Sequence, residues 1–139
     1  MRHFFLITIF IIPIFADDCS EYNEMNSTNY NCDCNEATWE KYYSYMLNCW
    51  LPNANLRNVD LKWANLEGAY LVGADLRYSQ LVNANLTRAN LVNANLVNAN
   101  LSWANMVNAN LKGADFRYAI LENANLKNAN LEGANLVNA

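Results

Sequence analysis

Residues 81–100 read LVNANLTRANLVNANLVNAN, and this stretch decides the fold. A leucine returns every five residues, an alanine lies two residues before each following leucine, and asparagine stands between them. The same period extends outward from Leu51 to Leu136. It is broken at four positions only: Met106 and Phe116 replace leucine, and Val59 and Ser79 replace alanine. The repeating unit is therefore Ala-Asn/Asp-Leu-x-x.

A five-residue period is incompatible with a single α-helix and with a plain β-strand. Successive leucines on a helix would be rotated by roughly 140° and would form no buried stripe. In a strand, alanine and leucine share one face, but an odd period places the next pair on the opposite face. Each repeat must therefore contain a turn, and repeated turns wind the chain into a closed polygon with leucine and alanine inside.

The two residues after each leucine are predicted to form the turn. The second of them is asparagine or glycine in thirteen of eighteen repeats. A type II turn requires positive φ at its third residue, which glycine adopts freely and asparagine tolerates. Five exceptions are predicted to have a different turn geometry: Trp63, Tyr78, Arg88, Trp103 and Tyr118.

Residues 51–139 resemble the pentapeptide-repeat family, since the tandem repeat matches its motif throughout this range. The resemblance implies an all-β fold, a right-handed quadrilateral parallel β-helix with four repeats, or twenty residues, in each coil. A duplication agrees with this geometry, because residues 74–78 (ADLRY) return forty residues later as 114–118 (ADFRY). Eighteen repeats would then stack into a rod only ~20 Å long.

The chain is predicted to contain three segments. Residues 1–16 are interpreted as a signal peptide, with Arg2 before an apolar run and Ala16 before two aspartates. A membrane anchor is the alternative, but twelve apolar residues are fewer than the roughly 20 that a spanning helix needs. Residues 17–50 are interpreted as an acidic, disulfide-bonded cap, and residues 51–139 as the β-helix. The predicted location is secreted or extracellular, or periplasmic if the source is bacterial.

All four cysteines precede the long repeat region: Cys19, Cys32, Cys34 and Cys49. In an exported chain this placement favours two disulfides, with the connectivity open. A zinc site is the alternative, but paired Cys-x-x-Cys knuckles are missing. Cys49 occupies the inward alanine station of the first repeat, so one disulfide is expected to tie the cap to the rod.

The two ends of the rod are predicted to differ. Residues 36–48 place aromatic and apolar side chains at helical spacing after Asn35, which could act as N-cap, so a short α-helix is expected to cover the first coil. The C-terminal coil has no such cap, and solenoid ends expose unpaired backbone and core. A homodimer through that coil is the resulting hypothesis. The resemblance points the same way, since family members are known to pair through it.

Charge and composition argue against several functions. Residues 17–50 carry seven acidic side chains and one basic, whereas residues 51–139 carry six acidic and seven basic, so the rod is nearly neutral. The only histidine is His3, within the predicted signal peptide. No catalytic constellation, metal site or cofactor site is recognisable, and the chain is predicted not to be an enzyme.

A set of outward residues forms columns at a twenty-residue period: Trp63 with Trp103, Tyr78 with Tyr118, and Arg57 with Arg77 and Arg117. One interpretation is a platform that stacks sugar rings or contacts a partner protein. The other is that duplication copied aromatics which a flat surface tolerates.

The sequence therefore predicts a secreted, non-enzymatic binding or structural scaffold for an unknown protein or glycan, with no nucleic acid partner and no membrane span in the mature chain. DNA mimicry towards gyrase, known in the family, is the alternative, but it relies on a strongly acidic rod. An ice-binding face would need ordered threonines, and the rod has only Thr87. Asn-x-Ser/Thr sequons at Asn26, Asn85 and Asn100 are either N-glycosylation sites or accidents of an asparagine-rich chain.

Overall fold

The computed structural model describes residues 46–139, which form a parallel β-helix with four sides. The β-structure consists of isolated bridges, one in each repeat, and every bridge joins a residue to the one twenty positions later, from Trp50–Tyr70 to Asp115–Asn135. The coil of twenty residues that the family resemblance implies is thereby confirmed. We number the sides 1 to 4 by their first leucines, which are Leu51, Leu56, Leu61 and Leu66.

Hydrogen bonds account for most backbone N–H groups of a repeat, as residues 80–90 illustrate. The leucine and the second turn residue donate to the following coil, as in Leu81 N to Asn100 O at 2.7 Å. The residue before leucine donates to the preceding coil, as in Asn85 N to Ala64 O at 2.9 Å. The alanine N–H closes the turn, as in Ala84 N to Leu81 O at 3.0 Å. Coils are therefore bonded in both directions along the rod.

The N–H of the first residue after each leucine explains why asparagine or aspartate precedes that leucine. In most repeats the side-chain Oδ1 of this residue accepts the N–H two positions later, as in Val97 N to Asn95 Oδ1 at 3.2 Å. Asparagine and aspartate are suited to such local turns because their side chain is short and carries an acceptor. The asparagine rows are thus part of the turn.

All the corners of the described coils share one backbone conformation. The second residue after each leucine station has positive φ, from 53° at Asn48 to 69° at Gly73. The prediction of a different geometry at the five exceptions is wrong: φ is 63° at Trp63, 61° at Tyr78, 59° at Arg88, 63° at Trp103 and 59° at Tyr118. The inter-coil ladder imposes the conformation, because these residues also donate to the following coil, as in Trp63 N to Val82 O at 3.0 Å.

The core is a stack of leucine and alanine layers. Most of these side chains are completely buried, and the two replacements at the leucine station, Met106 and Phe116, are buried as well. Ser79 is the one buried polar residue among residues 46–139, and its Oγ donates to Leu76 O at 2.6 Å. No buried side-chain nitrogen or oxygen in the described coils is without a partner.

The repeat conformation is already present at Met46, the first described residue, five residues before Leu51. Met46 lies at a leucine station and is buried, Asn48 has positive φ, and Cys49 N donates to Met46 O at 3.2 Å. The last three residues of the helix predicted over 36–48 therefore lie in a repeat turn. The rest of that helix, the predicted signal peptide and three of the four cysteines lie outside the described residues.

The described part of the chain contains no helix, so nothing between residues 46 and 139 could cross a membrane in helical form. At the last coil the leucine stations become partly exposed, up to 39% at Leu136. The leucines and alanines of this last described coil are covered on one side by the preceding coil.

Candidate binding surface

The corner between sides 2 and 3, here called the tyrosine corner, brings together five of the seven predicted surface residues. Tyr78 and Tyr118 occupy its positive-φ position, and Arg57, Arg77 and Arg117 occupy the position before it. The tyrosines lie two coils, or ~10 Å, apart. Arg57 belongs to the coil before Tyr78, and its guanidinium carbon lies 5.1 Å from the centre of the Tyr78 ring. This distance permits a cation–π contact.

Two of the three arginines are held by an aspartate of their own repeat. Arg77 Nε donates to Asp75 Oδ1 at 2.7 Å, and Arg117 Nη2 donates to Asp115 Oδ2 at 2.7 Å. These side-chain hydrogen bonds lower the pKa of both carboxyl groups below the ordinary aspartate value. Arg57 forms no salt bridge with any described residue. The column therefore offers one unpaired cation rather than three.

The corner between sides 3 and 4, here called the tryptophan corner, carries the other two predicted residues. The side chains of Trp63 and Trp103 are 71% and 58% exposed, and Asn83 lies between them in the column. Their separation along the rod is again two coils, or ~10 Å. Neither indole contributes to the core.

Side 3 and its two corners form one continuous surface, which we call the aromatic-edged side (residues 58–63, 78–83, 98–103 and 118–123). From one coil to the next the aromatic residue alternates between the two edges, in the order Trp63, Tyr78, Trp103, Tyr118. The central outward positions are Asp60, Gln80, Asn100 and Ile120. The tryptophan column and the tyrosine column thus form the two edges of a single flat face.

This arrangement and the residues at the centre of the face were not predicted from the sequence. The available signal was the position of each residue counted in steps of twenty, which places Gln80 and Asn100 between the two corners. A stacked pair on side 1 was not predicted either: the Trp50 and Tyr70 rings are 4.1 Å apart with planes inclined by 16°.

The four aromatic residues occupy a backbone conformation that disfavours them. Positive φ is uncommon outside glycine, asparagine and aspartate, and for a bulky residue it is a clear outlier. The corner position is otherwise filled by asparagine or glycine except at Arg88. Because the aromatic rings are largely exposed, burial in the core does not offset this conformational cost.

Apart from the three arginines of the tyrosine corner, two of which are paired with aspartates, the aromatic-edged side is close to electrically neutral. Lys62 Nζ lies 3.3 Å from Asp60 Oδ2, and Glu122 is the remaining charged residue on it. Within residues 46–139 no group of three or more histidine, cysteine, aspartate or glutamate side chains could hold a metal ion. The surface offers aromatic rings, amides and hydroxyl groups.

The repeat geometry agrees with a family comparison. The model for pentapeptide repeats matches residues 54–93 and 94–133, eight copies in all and more than half of the chain. The chain belongs to the pentapeptide-repeat family. Its members fold as right-handed quadrilateral β-helices, which agrees with the four sides and the twenty-residue coil.

Solved pentapeptide-repeat structures include similar cyanobacterial proteins. Rfr23 from Cyanothece 51142 is 45% identical with a TM-score of 0.49, and the match covers 63% of this chain and 56% of that chain. The protein alr5209 from Nostoc PCC 7120 is 37% identical with a TM-score of 0.42, over 68% and 74% of the two chains. This chain thus spans little more than half the length of Rfr23.

QnrB1, described as a plasmid-mediated fluoroquinolone resistance protein, is 18% identical with a TM-score of 0.32, over 68% of this chain and 64% of that chain. Scores and identities this low carry no argument about function. A comparison with curated protein sequences finds no match.

The two described sequons of this pentapeptide-repeat protein have different surroundings. Asn85 Nδ2, the atom to which a glycan would be attached, donates to Asn65 Oδ1 at 3.1 Å. Asn100 Oδ1 accepts from Ser102 Oγ at 2.8 Å, while its Nδ2 donates to no described residue. Glycosylation of Asn100 therefore requires less rearrangement than glycosylation of Asn85. Asn26 lies outside the described range.

Proposed function

We propose that this pentapeptide-repeat protein is an exported, non-enzymatic binding or structural scaffold whose aromatic-edged side contacts an extracellular protein or glycan. The observation that carries the proposal is the presence of four exposed aromatic residues in a strained corner conformation. Strained backbone conformations cluster at functional sites, because function can retain a residue that stability disfavours. Exposed aromatic rings combine a large contact area with few rotatable bonds, which suits them to recognition.

Family membership and chemistry support the absence of catalysis in this proposal. Pentapeptide-repeat proteins are generally structural or binding scaffolds. The paired aspartates, Asp75 and Asp115, are engaged by arginines of their own repeats. A carboxylate with a lowered pKa is a poor general acid at neutral pH, so these groups are suited to maintaining the corner rather than to proton transfer.

The disulfide at Cys49 supports export. Cys49 is completely buried at an inward station and is disulfide-bonded. Stable disulfides are typical of oxidising compartments. The intact mass of the natively produced protein, with and without reduction and deglycosylation, tests this part of the proposal. A chain that begins at Asp17 with four oxidised cysteines is expected, and retention of Met1 with free thiols would contradict export.

The binding role is tested with the cell-surface fraction of the source organism. The wild-type protein is expected to sediment with this fraction. A variant with Asn at all four aromatic positions (W63N, Y78N, W103N and Y118N) is expected to stay in the supernatant, because asparagine fits the corner conformation but provides no ring. Equal sedimentation of the two proteins, or none for the wild type, would refute a recognition role for this side.

Gyrase inhibition provides a separate control. The nearly neutral rod lacks the acidic surface that a duplex mimic needs, so excess protein is expected to leave gyrase supercoiling activity unchanged.

A further inference from the structure

We infer that the aromatic-edged side binds a neutral, linear β-1,4-linked polysaccharide whose chain runs parallel to the rod axis, with Trp63 and Trp103 each stacking against a sugar ring. This inference rests on the proposed function and specifies its ligand class. It depends on the spacing of the tryptophans, their exposure and the chemistry of the face between the corners.

The spacing of the tryptophans matches a two-ring repeat. Trp63 and Trp103 share one column and are separated by two coils, or ~10 Å along the axis. In an extended β-1,4-linked chain, alternate pyranose rings present the same face, and two linked rings span a comparable length. Every second ring could therefore meet an indole while the ring between them lies opposite Asn83.

The conformation and exposure of the indoles favour stacking on a flat ligand. Each tryptophan projects from a rigid corner whose backbone is fixed by bonds to the neighbouring coils. The rings remain 71% and 58% exposed, so a ligand does not need to displace protein contacts to reach them. The face of a pyranose ring presents C–H groups, and an indole face is its apolar, electron-rich complement.

The centre of the face is suited to hydroxyl or acetamido groups. Gln80 and Asn100 are partly exposed there, and Asn100 Nδ2 donates to no other described residue while its Oδ1 accepts from Ser102. The charged side chains between the two corners are the mutually paired Asp60 and Lys62, together with Glu122. On the tyrosine corner, Arg77 and Arg117 are paired with Asp75 and Asp115, which leaves Arg57 as the arginine without a salt bridge to a described residue. A neutral glycan at the tryptophan corner therefore meets hydrogen-bonding groups without displacing a bound counter-charge, whereas a polyanion would meet one such arginine at the opposite edge.

The direct test is a titration of cellohexaose and of N-acetylchitohexaose, followed by tryptophan fluorescence and calorimetry. The wild-type protein is prepared in a host without N-glycosylation, so that Asn100 is unmodified. Binding of either β-1,4-linked hexamer is expected, with no binding of maltohexaose, because an α-1,4-linked chain curves and does not present alternate faces to a flat surface. Equal affinity for maltohexaose, or no binding of either β-linked hexamer, would overturn the inference.

Variants separate recognition from folding. W63N and W103N are each expected to weaken binding roughly tenfold or more, while W63Y and W103Y retain part of the affinity because a ring remains. R88N is the matched control, since it makes the same corner change on a different corner, and its affinity is expected to equal that of the wild type. Wild-type affinity in a folded W63N/W103N double variant would contradict stacking at these positions.

The outcome is distinguishable from failure of the proposed function. If the protein sediments with the cell-surface fraction, and protease treatment of that fraction abolishes sedimentation while β-glycanase treatment does not, the partner is a protein. The glycan inference then fails and the binding scaffold stands. If the untreated wild-type protein does not sediment with the cell-surface fraction, both the proposed binding function and the glycan inference fail.

Discussion

At the scale of single residues, the residue type at each corner affects both the stability of the rod and the chemistry of its surface. The nineteen corner positions from 48 to 138 all have positive φ, whether the residue is asparagine, glycine, tryptophan, tyrosine or arginine. A non-glycine residue held in this region costs on the order of 1 kcal/mol, and asparagine is among the residues that tolerate it best. Large residues at corners should therefore lower stability.

Arg88→Asn is expected to stabilise the rod by about 0.5 to 1 kcal/mol. The substitution relieves the corner and removes only an exposed ion pair with Glu67, with atoms 3.8 Å apart and a side chain 72% exposed at Arg88. Such a pair contributes little. Thermal unfolding measures the change, which should raise Tm by a few degrees.

The reverse substitution, Asn98→Arg, is the matched control, because Asn98 has φ of 59°, the same value as Arg88. It should lower Tm by a similar amount. A decrease in Tm for Arg88→Asn would mean that the arginine makes a stabilising contribution beyond its contacts with the described residues.

The aspartate–arginine pairs make stability depend on pH. Hydrogen bonds from Arg77 and Arg117 lower the pKa of Asp75 and Asp115 in the folded protein. A group whose folded pKa is depressed stabilises the fold above its unfolded pKa of about 3.9, and this contribution is lost as pH falls through the folded value. The pairs should therefore stabilise the rod at neutral pH and cease to do so in acid.

The double variant D75N/D115N tests this expectation. Asparagine keeps the Oδ1 acceptor that the turn requires, as Asn95 shows in the same column. At pH 7 the variant should be less stable by at most about 1 kcal/mol in total, since exposed pairs are screened by solvent. The difference in Tm between wild type and variant should shrink below about pH 4. A constant difference across pH 2 to 7 would exclude the ion pairs as its cause.

The limits of sequence-based prediction at this scale are physical. Asparagine and glycine reveal a positive-φ corner because their own preferences agree with it. Tryptophan and arginine carry no such preference, so the sequence predicted another geometry at Trp63 and Arg88. The inter-coil hydrogen bonds decide the conformation there, and a local propensity does not contain that information.

At the scale of the element, each coil is stabilised by layers of leucine against its neighbours. Leu101 is completely buried between two coils, whereas Leu131 lies in the last coil and is partly exposed. Leu101→Ala should therefore cost about 2 to 5 kcal/mol, and Leu131→Ala clearly less, because the surroundings of Leu131 can relax and part of its surface is already in water. Urea unfolding of the two variants measures the difference.

Equal losses from the two variants would indicate that the last coil is covered in solution. The inward stations and the turn in each repeat could be predicted from the sequence because a five-residue repeat leaves no other way to bury every leucine. The coil period was implied by the family resemblance. The role of the asparagine before leucine could not, since it depends on an Oδ1 bond to the N–H two residues later. The repeat turn at residues 46–49 was also not predicted, because methionine replaces leucine at its inward station.

At the scale of the whole molecule, the last described coil differs from the interior coils in its backbone hydrogen bonds. Leucine N–H groups donate to the following coil, so Leu86 and Leu91 are bonded at 2.7 Å. The amides of Leu126 and Leu131 in the last coil donate to no other described residue. In a monomer these amides should exchange with solvent far faster than those of Leu86 and Leu91.

Hydrogen exchange followed by mass spectrometry or NMR at several protein concentrations tests the predicted homodimer. Protection at residues 126–131 that rises with concentration would support association through the C-terminal coil. Rapid exchange at all concentrations, together with a monomeric mass by light scattering, would refute it. The amides of Leu86 and Leu91 provide the internal control, since their protection should be independent of concentration.

The candidate surface was only partly predictable at this scale. Counting in steps of twenty identified the columns of tryptophan, tyrosine and arginine correctly as outward residues. It did not reveal that the arginines share a corner with the tyrosines, nor that side 3 separates them from the tryptophans. That relation is contained in the residue positions counted in steps of twenty, but the columns were predicted without comparing their places within one coil.

The equivalence of the four sides means that core and surface have different sequence periods. The inward positions repeat every five residues, whereas each outward column repeats every twenty. Removing five residues from the middle of the rod would leave every leucine and alanine inward, because any repeat can occupy any side. The same deletion, made between Tyr78 and Trp103, would rotate all later corners by a quarter turn. Trp103 would then lie at the tyrosine corner, in the same column as Tyr78. Removing twenty residues would preserve the columns and merely shorten them. Insertion or deletion of single repeats can therefore change which side chains lie together on the surface of such a rod, while the leucine and alanine core stays the same.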